Sequence, residues 1–285
     1  MRKTDIHEIV TANIIKALEE GVVPWRKPWD GYGGHTSLST GKPYRGVNVV
    51  ILDTAQMTEA YELPIWGTFK QISSMGGKVL KGSKGTPIVL WKPVEKEDAN
   101  GETSSFMIMR YYTVFNVAQT EGLTIPEALL VKREPVPVAE GIREALAYGP
   151  EVVHLAQDKA FYEPGKDRIT LPLLEQFISP EAYAGTALHE ITHSTGHVSR
   201  LDRFDGVNRF GCESQALEEL VAEMGAAMLA TALGLRVEWD QHAAYCASWL
   251  SALKDDRNML VRAAQKAQKA VDVVLGAGVA GEVAA

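Results

Sequence analysis

Cysteine is scarce in this chain, with only Cys212 and Cys246 among 285 residues. They lie far apart and form no C-x-x-C, so a disulfide framework is not indicated, and each reads as a small buried apolar residue. A reducing compartment fits that usage. No apolar run reaches the roughly 20 residues that a bilayer-spanning helix needs. The first turns carry Asp5, Glu8, Lys16, Glu19 and Glu20, which suits an amphipathic helix and not a secretory leader. These absences lead to the expectation of a cytoplasmic protein with no membrane partner.

Positive charge is also short overall, with a net charge of −7 and a pI near 5.6. The deficit is uneven. Residues 1–92 hold 12 basic and 8 acidic side chains, a net of +4, and the remainder holds 17 and 28, a net of −11. A basic N-terminal part joined to an acidic C-terminal part implies two domains with different partners. Hydrophobic residues make up 46% and charged residues 23% of the chain, a balance that supplies a core.

Histidine is sparse too, seven in all, yet two stand four residues apart in His189-Glu190-Ile191-Thr192-His193. On an α-helix that step returns to the same face, so both imidazoles point the same way and form a platform for Zn²⁺ or a similar ion. Glu190 is turned by about 100° from His189, which puts it beside the ion, where a general base toward a water is needed. Ser179-Pro180-Glu181 offers a cap, a first-turn proline and a first-turn acid, and Gly196 offers a stop, so the helix ends just past the second histidine.

A catalytic site of this kind needs a third protein ligand. The helix around residues 215–233 is strongly apolar, but Glu219 and Glu223 share a stripe with Ala226 and Ala230. Carboxylates on such a stripe are costly unless paired or metal-bound. Glu219 is therefore the expected third ligand, and Glu223, one turn on, the group that hydrogen-bonds the outer nitrogen of a liganding histidine. Glu218 lacks a carboxylate four residues later and reads as solvated. His197 is the rival ligand. A further histidine at position 199 would be the metzincin pattern, and Ser199 stands there. Tyr183 and His197 are weak candidates for stabilising an oxyanion. His7, His35, His154 and His242 have no partner pattern.

The rest of the chain reads as α+β. Helices are expected over residues 4–20, 48–56, a short stretch ending at Gly76-Gly77, residues 215–233, and one or two more over 238–274. Strands are expected at 86–91 and 106–115, joined by a hairpin turn at Asn100-Gly101, and at 152–155 and 168–171. The prolines at 126, 135 and 137 place a domain boundary near residue 125. The organisation is then an N-terminal α+β domain, 1–125, and a mainly helical domain with a small sheet, 126–285.

In the N-terminal part, aromatics interleave with basic residues. Trp25, Trp29, Tyr44, Trp66 and Phe69 alternate with Arg26, Lys27, Lys42, Arg45 and Lys70, and Lys78, Lys81 and Lys84 continue the basic run on a glycine-bearing segment. Single-stranded nucleic acid is held by that combination of stacking faces and cationic grooves.

Several motifs also resemble a known family. Pro24–Trp29 (PWRKPW), Gly41–Asn48 (GKPYRGVN), Trp66–Gln71 (WGTFKQ) and Gly76–Gly85 (GGKVLKGSKG) resemble the N-terminal domain of ArdC-type antirestriction proteins, shared with TraC-type plasmid primases. Ala187–His197 (ALHEITHSTGH) and Glu218–Ala226 (EELVAEMGA) resemble that family's zincin-like metallopeptidase domain. The likeness runs from about residue 4 to residue 270. It implies a domain binding single-stranded DNA fused to a zincin-like domain, and protection of incoming conjugative DNA from host restriction.

The expectation is one divalent ion, zinc first and manganese second, held by His189, His193 and Glu219, with Glu190 as catalytic base. Single-stranded DNA is the expected partner, contacted through Trp25, Arg26, Lys27, Trp29, Tyr44, Arg45, Lys70, Lys78, Lys81 and Lys84. A protein substrate in the restriction machinery is the second. Two alternatives stay open: a DNA-coating protein with a structural or vestigial metal site, and a regulatory protease that cleaves a repressor or restriction subunit.

Overall fold

The first helix, α1 (Ile6–Glu19), forms where apolar side chains recur at helical spacing, and Val10, Ile14, Ala17 and Leu18 are buried along it. In this computed structural model, residues 6–26, 31–97, 103–204, 213–239, 243–256 and 258–276 are described. The chain folds as two units, one made of residues 34–131 and the other of residues 1–33 together with 132–279. This differs from a single cut near residue 125. The N-terminal helix and the Val22–Arg26 segment group with the C-terminal half, because Trp25 is buried there with its ring edge-on to Trp249, centroids 5.4 Å apart.

The unit of residues 34–131 contains β1 (Thr36–Ser37), α2 (Val47–Glu59), β2 (Ile65–Thr68), α3 (Phe69–Ser74), β3 (Lys78–Val79), β4 (Thr86–Glu97), β5 (Thr103–Asn116) and β6 (Thr120–Glu121). Four strands form one sheet in the order β1-β2-β5-β4, and β3 pairs with β6. β1 runs parallel to β2, and the other pairs are antiparallel. The two-residue strand period sends neighbours to opposite faces. Trp66, Ile88 and Val114 therefore close on Leu52 of α2, while Ile65 closes on Leu38, Ile72 of α3 and Val117. A reciprocal cap starts α3: Gln71 N–H donates to Thr68 Oγ1 at 3.2 Å and Thr68 N–H to Gln71 Oε1 at 2.7 Å.

His35 lies within this unit, fully buried. The Trp66 indole N–H donates to His35 Nδ1 at 2.9 Å, and His35 Nε2 faces Asp53 Oδ1 at 2.9 Å. Because Nδ1 accepts, the ring proton sits on Nε2 and is given to Asp53.

The other unit continues from α1 with α4 (Val138–Ala145), β7 (Glu151–Leu155), β8 (Phe161–Glu163), β9 (Arg168–Pro172), α5 (Pro180–Ser194), α6 (Glu213–Leu233), α7 (Ala243–Asp255) and α8 (Met259–Val274). Its sheet has the order β7-β9-β8, with β7 parallel and β8 antiparallel to β9. β8 arises in the segment the pattern left between two strands, and the last helical stretch divides into α7 and α8. Leu188 and Ile191 of α5, Leu220, Met224 and Leu229 of α6, and Leu260, Ala264 and Ala267 of α8 are buried. Helices α5 and α6 meet closely at Gly225, where a Cβ would run into the Thr192 side chain. No helix among the described residues is long and apolar enough to cross a membrane. Cys212 and the turn at Asn100-Gly101 lie outside the described residues, as does the side chain of Cys246.

Candidate metal centre

Helix α5 begins as its sequence suggests: Ser179 Oγ accepts from Ala182 N–H at 3.0 Å, with Pro180 in the first turn. Fifteen residues later it ends just past His193. The Nε2 atoms of His189 and His193 stand 3.0 Å apart. Across the Thr192–Gly225 contact, α6 brings Glu219 Oε2 to 3.5 Å from His189 Nε2 and 3.9 Å from His193 Nε2. One donor atom from each of His189, His193 and Glu219 falls within 4.8 Å of the others. Donors bound to one tetrahedral ion at about 2.0–2.1 Å stand roughly 3.3 Å apart, and the observed separations bracket that value. Two imidazoles and one carboxylate can hold a divalent cation such as zinc, which is borderline, or the harder manganese.

Behind the donors lies a matched pair of supports. His189 Nδ1 faces Glu223 Oε1 at 3.6 Å, and Glu223 Oε2 accepts from Arg26 Nη2 at 3.1 Å and Nε at 3.3 Å. His193 Nδ1 faces Glu218 Oε1 at 3.2 Å, and Glu218 takes a two-pronged bond from Arg203, at 2.7 and 3.0 Å. Arg203 also donates to Thr195 Oγ1 at 2.6 Å and to the Thr192 carbonyl at 2.9 Å, gripping the end of α5. Each candidate ligand histidine is thus backed by a glutamate, and each glutamate by an arginine. Such outer partners fix a ring's tautomer and direction. Glu218 is accordingly not the solvated side chain expected of it. It is nearly buried, and Arg203, from the loop after α5, compensates its charge.

The acidic surroundings set the titration of these groups. For His193, burial disfavours the imidazolium, but the Glu218 hydrogen bond and the charges of Glu190, Glu218 and Glu219 outweigh it and raise the pKa to about 9. For Glu218, burial pushes upward, and the bonds from His193 and Arg203 pull the carboxyl down to about 2. Glu219 is also burdened by burial and lowered, through His189 and His193.

Glu190 retains 7% of its surface and sits near enough to His193 to act on its charge. Tyr183 is buried, its hydroxyl 3.2 Å from His154 Nε2 on β7. His197 pairs its Nδ1 with Ser199 Oγ at 2.7 Å and approaches Asp167 at 4.0 Å, outside the donor cluster.

The proposed nucleic-acid residues fall in different places. Trp25 is buried against Trp249, and the Arg26 guanidinium lies 5.6 Å from the same indole while bound to Glu223. Tyr44 packs on the Leu52–Trp66 cluster, and burial pushes its phenol up to about 12 against an opposing bond from Ser37. Trp66 is fully buried. Arg45, Lys70, Lys78, Lys81 and Lys84 are exposed. Lys27 and Trp29 lie outside the described residues.

Residues 4–115 match the N-terminal domain of anti-restriction factor ArdC, and residues 142–266 match a zincin-like metallopeptidase family. The fold resembles the crystal structure of antirestriction ArdC protein from the R388 plasmid in metal-free form. Identity is 39% and the TM-score 0.79, covering 95% of this chain and 96% of that one. The Mn(II)-bound structure of the same protein matches at 36% identity and a TM-score of 0.79, covering 96% and 99%. The chain belongs to the ArdC antirestriction family. The ArdC N-terminal match runs from α1 to the end of β5 and so draws on both structural units. The zincin-like match contains α5 and α6 entire, and the ArdC structure with Mn(II) agrees with a divalent ion for the three-donor cluster. Two DNA primases TraC of Escherichia coli are 38% and 39% identical across 96% of this chain, which spans only 20% and 27% of their length. The uncharacterized protein y4eC of Sinorhizobium fredii is 38% identical over 94% of this chain and 91% of its own.

Proposed function

We propose that this ArdC-family chain binds single-stranded DNA with little sequence preference and carries a metal-dependent, peptidase-like centre, and that it protects incoming conjugative DNA from host restriction. The observation that carries the reading is the convergence of His189, His193 and Glu219 donor atoms from two crossed helices. These three residues hold the ion, for which zinc is our assignment. When bound, the ion acidifies a water and polarises a carbonyl. Glu190, on the same helix and turned from the ligands, takes a proton from the attacking water and delivers it to the leaving amine. Glu218 and Glu223 hold the two imidazoles by their outer nitrogens, so that each presents Nε2 inward. The exposed Arg45, Lys70, Lys81 and Lys84 favour a nucleic-acid role for the unit of residues 34–131.

The test is plasmid transfer into a restricting recipient, comparing the wild type with Glu190→Gln. Loss of protection in a variant that still binds metal and single-stranded DNA supports a catalytic role. Undiminished protection rejects it and leaves coating of DNA as the mechanism.

A further inference from the structure

Among the described side chains of the unit of residues 34–131, the exposed aromatics are Phe69, Tyr111 and Tyr112, not Trp66 of the basic, aromatic-rich stretch. Trp66 is sealed in the core, whereas Phe69 is 61% and Tyr111 41% exposed. The placement of Tyr111 follows from strand register, and Phe69 opens α3 beside the same sheet. Tyr111, Thr113 and Phe115 alternate onto one face of β5, opposite the face on which Val114 meets Trp66 and Ile88. Phe69 directly follows Thr68, which pairs with Val114 at the neighbouring edge of β5. The lysine-bearing segment approaches the same face at Gly85. A Cβ there would overlap the Thr113 methyl and stand 3.0 Å from the Phe115 ring, so only glycine permits the approach. Lys81 and Lys84 on this segment are exposed. Lys78 instead stands directly opposite Glu121 in the β3–β6 register, and the proposed path leaves it out.

Resting on the single-stranded DNA reading above, we propose that the strand crosses this face of the sheet. Bases stack on Phe69 and Tyr111, and phosphates meet Lys81, Lys84 and Lys70. Aromatic faces accept any base, and cations spaced along one edge follow a backbone, which suits binding with little sequence preference. Tyr112 and Arg110 are also exposed, but they lie on the opposite face of β5, the one whose Val114 closes on Leu52 of α2, and the proposed path does not use them.

The experiment is fluorescence anisotropy of a labelled oligothymidylate with the full chain at several salt concentrations. Phe69→Ala and Tyr111→Ala should each weaken binding by about 5- to 100-fold. Tyr111→Trp should bind like the wild type, and its added fluorescence should be quenched by the oligonucleotide. Lys81→Gln and Lys84→Gln should each flatten the salt dependence by about 0.7 of a unit of slope. Tyr112→Ala should change nothing. If the wild type binds and both alanine variants bind equally well, the stacking face lies elsewhere and this proposal falls while the DNA reading stands. If the wild type does not bind, both fall. Thermal melting of each variant separates lost contacts from lost folding, and normal affinity in Tyr111→Trp beside loss in Tyr111→Ala excludes a purely structural cause.

Discussion

Arg26 and Glu223 are 197 positions apart in the chain, and their side chains meet at 3.1 Å directly behind His189. The N-terminal segment therefore supports the candidate metal centre. Arg26→Ala should lower divalent-metal affinity by about 10- to 100-fold, as losses behind a ligand do. A competition titration against a chelating dye measures this. The double variant Arg26→Ala/Glu223→Gln should be no worse than Glu223→Gln alone, since one path is broken twice. Additive losses would place Arg26 outside that path.

The donor assignment makes a graded prediction. Glu219→Ala and His189→Ala should remove most bound metal, Glu218→Gln and Glu223→Gln should weaken it moderately, and Glu190→Gln and His197→Ala should keep it. Metal content after dialysis, measured by elemental analysis, ranks the six. A His197→Ala protein poorer in metal than Glu219→Ala would reverse the third-ligand choice.

Gly225→Ala should damage the site without touching a donor. The added methyl overlaps Thr192, next to His193, and such overpacking costs typically 1–3 kcal/mol. Melting temperature and metal affinity should fall together, and Thr192→Ser in the same chain should restore part of both by removing the clashing methyl. Unchanged affinity in Gly225→Ala would mean that the helix crossing does not govern the centre.

Asp167, outside the three-donor cluster, provides a pH test. The bond from Arg200 lowers its carboxyl below the usual 3.8, burial opposes, and Tyr162 adds a second lowering bond. A depressed folded-state pKa means that its stabilisation is complete above about 3.8 and is lost as pH falls through the lower folded value. Asp167→Asn should melt below the wild type between pH 5 and 7, and the gap should narrow progressively as the pH falls below about 3.8. Asparagine tolerates the left-handed backbone at this position, φ 48°, so the change isolates the charge. A gap that did not narrow at all as the pH fell below 3.8 would assign the effect to shape.

The parts legible from the sequence were those encoded over one or two helical turns. The His189–His193 pair, the cap at Ser179 and the Glu219–Glu223 stripe are local periodicities. What the sequence hid depends on distant partners. Glu218 reads as solvated because nothing nearby in the chain neutralises it, and Arg203 arrives from the loop beyond α5. Trp25 and Arg26 read as nucleic-acid contacts because tryptophan beside arginine is the same pattern in a stacking groove and in a packed helix junction; only Trp249 and Glu223 tell them apart. The short strand β8 carries too few residues to show a period.

His35 stands just before β1, a strand of two residues with almost no ladder of its own. A slip by one position would carry the imidazole to the other side of the backbone. The Trp66 indole N–H and the Asp53 carboxylate would then be left in the interior with no mate, at a cost of several kcal/mol. One buried ring thus acts as a locating pin, giving a single alignment to an edge whose hydrogen bonds alone are too few to choose one.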